Sequence, residues 1–544
     1  MHVMAYAPYG ADGIIIRVEA DIRRGIPGVD ITGLANGAVR ESRERVRAAC
    51  RNSGYQFPAD RVLVNLAPAG VRKEGASLDL PIALAVMAAA GLIPSPEGLM
   101  VLGELELSGS LRPVRGVLAA SAAGLKAGLR GFIVPAENAR EAAILAAGRF
   151  AAVSSLREAA HALSVLDATG RLPTRDGSPN PSDLHSQTRF DPNDPGDFSE
   201  VQGQKIYKRA IEIAAAGGHH LLAFGPPGSG KTMLARRMAG ILAPLSEEEA
   251  VETTRLHSLA GSFGAESDLV IRPPFRSPHH SASAEGILGG GRSVHPGEIS
   301  LAHNGVLFLD EAPEFKTNVL QALREPLEDS WVTISRADGS VRLPADFQLI
   351  LAANPCPCGR LGIRLAVPEV PDAPGKSASS DTFSGSAACF CSGDEINRHW
   401  RRLGSALLDR IELRVPVLPP LNLANPSSTE DSSAEIALRV RSAVEIQRKR
   451  LRGTNVRRNS RMPAGFIQKF CAADMAAASV LRAATDYLGL SGRACHGILR
   501  VARTIADLDG SDSLKVRHVE EAIKYRRYGE DPYDIIAASG MPSI

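Results

Sequence analysis

The chain has 544 residues, of which 44% are hydrophobic and 22% charged, and its 62 Lys plus Arg nearly cancel its 60 Asp plus Glu to leave a formal net charge of +2. These proportions exclude wholesale disorder, and the length suggests about three domains. With so weak a global field, any nucleic-acid partner has to be held by local basic clusters. The longest apolar run, Leu80 to Ile93, contains Pro81 and Gly91 and falls short of the roughly 20 residues a spanning helix needs. The opening residues, MHVMAYAPYGADG, lack the basic-then-apolar pattern of a signal peptide. A soluble, cytoplasmic protein with no membrane partner is therefore expected. Seven cysteines, an odd number in a long chain, do not form a secreted disulfide framework.

Short β-branched runs, Gly13 to Glu19 and Val62 to Leu66, read as strands. Val39, Val46 and Cys50 recur at helical spacing, and the alanine-rich run Leu80 to Ala90 reads as a buried helix. Residues 1–168 are therefore expected to form a mixed α/β domain. The Pro-, Gly-, Ser-, Asn- and Asp-rich stretch 169–196 has no apolar period and reads as a linker.

The run Gly225, Pro226, Pro227, Gly228, Ser229, Gly230, Lys231, Thr232 fits the G-x-x-x-x-G-K-[ST] phosphate loop. It follows the apolar strand Leu221 to Phe224 and opens a helix expected over Met233 to Leu242, which is the context such a loop needs. Glycines let backbone N–H groups converge on phosphate oxygens, Lys231 neutralises the β and γ phosphates, and Thr232 offers a hydroxyl to Mg²⁺. The apolar strand Val306 to Leu309 ends in Asp310 and Glu311. Asp310 is expected to hold Mg²⁺, directly or through water, and Glu311 to polarise the attacking water, as in a hydrolase. Either motif alone is compatible with a chance match or a solvated acidic turn; the two in this order point to an ATP site. Val332 to Arg336 and Val341 to Leu343 flank Asp338-Gly339, a hairpin signal. A third strand, Phe347 to Ala353, ends at Asn354, whose amide can orient the same water, although Asn before Pro is also a turn signal.

Cys356, Cys358, Cys389 and Cys391 supply the four thiols of a closed tetrahedral Zn²⁺ site, with a Pro/Ser/Gly-rich loop between the pairs. C-x-C is tighter than the usual C-x₂-C, and spectator thiols or a redox switch are the alternatives. Arg448, Lys449, Arg450 and Arg452, with Arg457, Arg458 and Arg461 downstream, form the densest cationic run; it is either a solvated helix face or a non-specific DNA contact.

Taken together these residues resemble the AAA+ ATPases. The resemblance implies that residues 197–204, DFSEVQGQ, pack around adenine, that Arg410 in Leu407 to Ile411 is an arginine finger reaching a neighbouring subunit, and that Arg493 in Ser491 to Arg493 is the second-sensor arginine of the lid. Each such arginine stabilises charge on the transferring phosphoryl group, and a finger supplied in trans makes hydrolysis depend on assembly. The runs Phe275 to Ser281, Gly289 to Gly291, Pro296 to Gly305 and Asn354 to Gly359 are similar to the magnesium-chelatase-like ComM/YifB family. Its members are described as hexameric ATPases that bind single-stranded or branched DNA and drive branch migration during uptake of transforming DNA.

The implied architecture is an α/β Lon-protease-like, ribosomal-protein-like domain (1–168), the linker (169–196), an AAA+ P-loop α/β core with a parallel sheet (197–425, with a Cys-pair insertion at 356–391) and a C-terminal helical lid (426–544). Its implied partners are DNA, further copies of the chain in a homohexamer, and recombination or competence proteins. Two loops are implied to face a pore: one near Pro278 to Gly291, where His279 and His280 are candidates either for DNA contact or for packing, and the hairpin, with Arg336 and Arg342. In the Lon-like part Arg72 to Ser77 matches the nucleophile segment, with Ser77 at the nucleophile, but Leu118 stands where Lon carries its lysine. Leucine cannot accept the hydroxyl proton, so no Ser–Lys peptidase is expected. Two other readings stay open: a chelatase-type ATPase remodelling a metal-insertion enzyme, and an ATP-gated DNA-binding scaffold.

Overall fold

The computed structural model describes the chain except for residues 34–36, 71, 72, 74, 75, 174–195, 264–267, 292, 293, 337, 338, 362–388, 419–429, 530, 532 and 540–544. Most of the expected linker, the long loop between the cysteine pairs and the expected core–lid boundary thus lie outside the described residues.

The N-terminal part is built on a seven-stranded mixed sheet. From one edge its strands are Gly28–Thr32, Arg61–Ala67, Ile14–Arg23, His2–Ala7, Leu99–Val101, Gly131–Pro135 and Phe150–Val153. The pairings of Ile14–Arg23 with its two neighbours are antiparallel and the others parallel. Helix Gly37–Asn52 covers the expected Val39, Val46 and Cys50 stripe. Helix Asp79–Ala89 is buried from Asp79 to Ala88. Its all-round apolar sequence could only sit inside a core. The one charge it buries, Asp79, is bonded by Arg45 Nε at 2.8 Å and by the Ser42 hydroxyl. That pairing is what a buried carboxylate requires.

The second sheet has five parallel strands, in the order Phe275–Arg276, Val306–Leu309, Gln348–Ala353, Leu221–Phe224 and Leu413–Pro416. The two-residue period of a strand sends alternate side chains to opposite faces. Leu221, Ala223, Phe308, Ile350 and Val415 enter one core, while Leu222, Phe224, Leu307, Leu309 and Leu351 enter another. Both faces are dry, which explains why these strands read as continuous apolar runs rather than alternating ones. The first core also takes Val440, Val444, Ile498, Val501, Ile505 and Val519 from the helices Ser433–Arg450, Gly492–Leu508 and Val516–Arg526, so the helical C-terminal part is fused to the sheet by shared apolar packing.

Three carboxyl ends of this sheet lie side by side. Phe224 leads into Gly225, Leu309 into Asp310 and Ala353 into Asn354. In open parallel sheets ligands bind at such a crevice. The hairpin pairs Trp331–Arg336 with Gly339–Pro344. Gly339 is opposite Arg336 and is therefore a strand residue rather than the second turn residue.

The N-terminal part also touches the part built on the parallel sheet through helix Glu247–Ala260. The Ser258 hydroxyl is bonded to Glu141 and accepts from Gly116 N at 3.0 Å, and Arg255 pairs with Asp12 at 2.7 Å. Among the described residues no helix is long and apolar enough to cross a membrane.

Candidate active site

The phosphate loop is tight for steric reasons. A Cβ on Gly225 would lie 2.0 Å from the Val417 carbonyl oxygen. Gly230 caps helix Lys231–Arg237 at φ +90°, a backbone region L side chains avoid. The helix begins two residues earlier than the sequence suggests and passes into a 3₁₀ turn, Met238–Gly240. The Ser229 hydroxyl is buried with no partner among the described residues, an orphaned group that fits a polar ligand at the loop. From behind, the buried Tyr207 hydroxyl donates to Lys231 O at 3.1 Å, and Gln204 Nε2 donates to Ser229 O at 3.0 Å and Leu418 O at 2.6 Å. Within the segment expected near adenine, Asp197 accepts from Ser433 N and Gly203 donates to Glu430 at 3.1 Å, tying it to the helical part.

Lys231 is brought to the centre. Its Nζ donates to Gly225 O at 2.7 Å, Pro226 O at 2.8 Å and Asn354 Oδ1 at 3.3 Å. The lysine and the end of the third strand thus meet, a contact the sequence does not announce. Burial, opposed by the Asp310 and Glu311 charges, pushes this amine down to about 8. Bound triphosphate raises it again, so ATP affinity weakens as pH rises past that value, and binding takes up a proton. Calorimetry in buffers of different ionisation enthalpy should find uptake of about 0.7 proton per ATP at about pH 8.5 and almost none at about pH 6.5. Equal uptake at both values would place the lysine's titration elsewhere.

The Thr232 hydroxyl donates to Asp310 Oδ2 at 2.8 Å. Two hard oxygen donors this close fit Mg²⁺. Glu311 has φ +51°, unusual for a residue with a Cβ, and its carboxylate is 54% exposed. Strain of this kind collects at functional sites. His280 Nδ1 lies 4.0 Å from Glu311 Oε2, and the His280 ring is stacked on that of His279 at 4.1 Å. This contact is not visible in the sequence, where the two histidines carry no recognisable spacing; it arises because Phe275–Arg276 pairs with the acidic strand.

Arg410 and Arg493 are brought together, but with each other rather than with the phosphate loop. Arg410 NH2 is 2.6 Å and Arg493 NH2 2.7 Å from the same oxygen of Glu328, and Arg493 also reaches Asp409 at 3.5 Å. They line a cavity of about 450 Å³ with Arg461, Arg500 and Arg526 that includes no phosphate-loop residue.

The cysteine pairs converge: the sulfurs of Cys356, Cys358, Cys389 and Cys391 lie within 4.8 Å of one another. The basic run is mostly spent within the chain. Arg450 pairs with Asp507, Arg457 with Glu252 at 3.0 Å and Arg461 with Asp346 at 2.5 Å, and Arg448 reaches Glu249 at 3.3 Å. Of its dense part, Lys449 and Arg452 are exposed and make no ion pair among the described residues, so most of the charge of the run is engaged in pairs within the chain. In the hairpin, exposed Arg342 lies over the Trp331 ring at 5.4 Å; the Arg336 side chain lies outside the described residues. In the N-terminal part Leu118 is fully buried and its N–H donates to Glu141 at 2.7 Å, while the Lys73 amine donates to Pro68 O. Arg72, Glu74 and Gly75 lie outside the described residues.

Three family models match the chain: "Magnesium chelatase, subunit ChlI" over residues 197–371, "Subunit ChlI of Mg-chelatase" over 18–138 and "Magnesium chelatase, subunit ChlI C-terminal" over 430–526. The chain is 40% identical over 530 residues to the YifB protein of Salmonella typhimurium, covering 96% of each. It is 38% identical over 530 residues to the competence protein ComM of Haemophilus influenzae, covering 96% of this chain and 97% of that one. A more distant likeness, 27% over 184 residues, links 30% of this chain to Lon protease 2 of Bacillus subtilis and 33% of that protein.

Proposed function

The chain belongs to the magnesium-chelatase-like ComM/YifB family of AAA+ ATPases, and from that premise we propose that it is an ATP-driven DNA motor, a ring of six copies that moves DNA branch points and so promotes integration of transforming DNA and homologous recombination. The observation that carries this reading is the division of the site. Lys231, Thr232, Asp310 and Asn354 meet at one sheet end, while Arg410 and Arg493 gather elsewhere. Each chain then holds two halves of two different sites, and a heterologous ring joins them.

In the reaction the phosphate-loop N–H groups and Lys231 hold the β and γ phosphates. Thr232 and Asp310 would hold Mg²⁺, which would neutralise phosphate charge. Glu311 accepts a proton from water as its oxygen bonds to the γ phosphorus. The bond to the β–γ bridging oxygen breaks, ADP and phosphate leave, and the glutamate returns its proton to solvent. Asn354 orients the water, and the neighbour's Arg410 and Arg493 stabilise charge on the transferring group.

The Arg342–Trp331 pair supplies a cation and a stacking face suited to DNA, single-stranded or branched. Recombination or competence proteins are the proposed partners and the cytoplasm the proposed location. Leu118 at the place of a catalytic lysine supports an N-terminal domain that is not a Ser–Lys peptidase and serves assembly or DNA contact. The four clustered thiols support a structural Zn²⁺.

The match to magnesium chelatase subunit ChlI favours one second reading, a chelatase-type ATPase that remodels a metal-insertion partner. Migration of a synthetic four-way DNA junction separates the two. The motor reading expects ATP-dependent resolution, lost together with ATP turnover in Lys231→Ala. Vigorous hydrolysis without migration would favour the second.

A further inference from the structure

We infer that Zn²⁺ held by Cys356, Cys358, Cys389 and Cys391 fastens the Asn354 end of the sensor strand against the phosphate loop, so that this metal governs hydrolysis more than it governs ATP binding. The inference rests on the reading of the ATP site above and adds a second, non-substrate metal to it.

Three of the sulfurs form a nearly equilateral triangle, and the fourth, of Cys391, lies within 4.8 Å of each of them, close enough for all four to bind one ion. Cys356 and Cys358 sulfurs are 3.4 Å apart, and each lies 3.6 Å from the Cys389 sulfur. A Zn²⁺ with Zn–S bonds of about 2.3 Å has sulfur–sulfur edges of about 3.8 Å. No disulfide joins any of the four. Backbone N–H groups already point at the sulfurs: Leu361 N to Cys356 at 3.4 Å, Arg360 N to Cys358 and Cys358 N to Cys391. Such bonds stabilise thiolates and orient metal ligands. Binding replaces four thiol protons, released to solvent, with one divalent ion.

What the cluster touches gives it its role. Cys356 is two residues beyond Asn354, and Gly359 packs so closely on the phosphate loop that a Cβ there would sit 2.8 Å from Pro227 Cδ. The second pair leads directly into helix Gly393–Arg401, whose start is fixed by a Ser392/Glu395 capping box. From that helix His399 Nε2 is bonded to Asn354 O at 3.2 Å, and Trp400 Nε1 donates to Pro355 O at 2.9 Å. The Trp400 ring also meets Phe224, the last strand residue before Gly225, edge-on at 5.5 Å. One ion thus ties the turn carrying Asn354 to the helix that braces both that turn and the strand entering the phosphate loop. Without it the two cysteine pairs are linked by the His399 and Trp400 bonds to Asn354 O and Pro355 O and by the 30 residues 359–388, and holding the sulfurs together costs loop-closure entropy. Asn354 loses its placement first, because among the described residues its side chain makes one hydrogen bond, at 3.3 Å from Lys231 Nζ, whereas Lys231 keeps its bonds to the Gly225 and Pro226 carbonyls.

The test uses the full chain. Metal analysis should find one zinc per chain, and Co²⁺ exchanged into the site should show the intense visible absorption of tetrahedral thiolate coordination. Cys389→Ser should lose the zinc, keep affinity for a fluorescent ATP analogue within about threefold and lose about tenfold or more in kcat. Cys389→His, which keeps a ligand, should recover zinc and turnover together, separating a metal effect from misfolding; zinc stripped from the wild type by a chelator should reproduce the serine variant. Wild-type protein with neither zinc nor a cobalt spectrum would overturn the metal site. Zinc-free protein hydrolysing ATP at the normal rate would overturn its role. Zinc-loaded wild type without any ATPase would instead contradict the reading of the nucleotide site.

Discussion

Glu311→Gln lowers kcat for ATP by about 10²–10⁴-fold while ATP affinity stays within about threefold. The amide keeps the shape of the carboxylate but cannot take a proton, so the loss falls on the step in which water attacks. Two features single out this side chain. It follows Asp310, the proposed Mg²⁺ ligand, at the end of a strand buried on both faces, and its backbone is held at φ +51°. The left-handed turn lifts the carboxylate out of the strand line into an exposed position near His280, while Asp310 bonds Thr232. Phosphate release and analogue titration on the same preparation check both halves of the expectation. A variant that turns over normally would move the base to another group.

Arg410→Ala removes about 10³–10⁵-fold of turnover in the assembled protein and leaves nucleotide binding intact. Within one chain Arg410 stabilises nothing at the phosphate loop. It is 15% exposed, donates to Ala406 O at 2.5 Å and pairs with Glu328, which Arg493 shares. The guanidinium of Arg410 holds the Glu328 carboxyl below the usual carboxylate range, with Arg493 adding to it. On the proposed reading these two arginines, gathered here on one carboxylate, exchange it for another anion, a neighbour's γ phosphate. Binding unaffected and hydrolysis lost is the signature of a group that acts only in the transition state. If Arg410→Ala hydrolyses ATP at the wild-type rate, the arginine is a surface ion-pair residue.

The parts of this molecule legible in the sequence are those whose cause is local. A phosphate loop needs glycines at fixed offsets, and Gly225 and Gly230 meet steric conditions that any reader of the motif anticipates. The strands ending at Phe224, Leu309 and Ala353 are apolar along their length because both faces are covered, and their last residues deliver Lys231, Asp310 and Asn354 to one place. Long-range packing decided the rest. His280 reaches Glu311 only through the pairing of two strands whose sequence separation carries no signal. The basic run looks like a nucleic-acid face until Glu249, Glu252, Asp346 and Asp507 arrive from other elements to neutralise it. That Arg410 and Arg493 share one acceptor, and that Gly359 leans on Pro227, follow from tertiary placement alone.

The central proposal is that each ATP is enclosed by two chains. Mixing two inactive variants tests it: Lys231→Ala, with a broken cradle and an intact finger, and Arg410→Ala, with the reverse. In an equal mixture allowed to reassemble, about a quarter of the interfaces of a heterologous ring join an intact cradle to an intact finger, and about that fraction of wild-type turnover should return. A mixture as inactive as its components, under conditions in which the subunits demonstrably exchange, would contradict a site shared between neighbours.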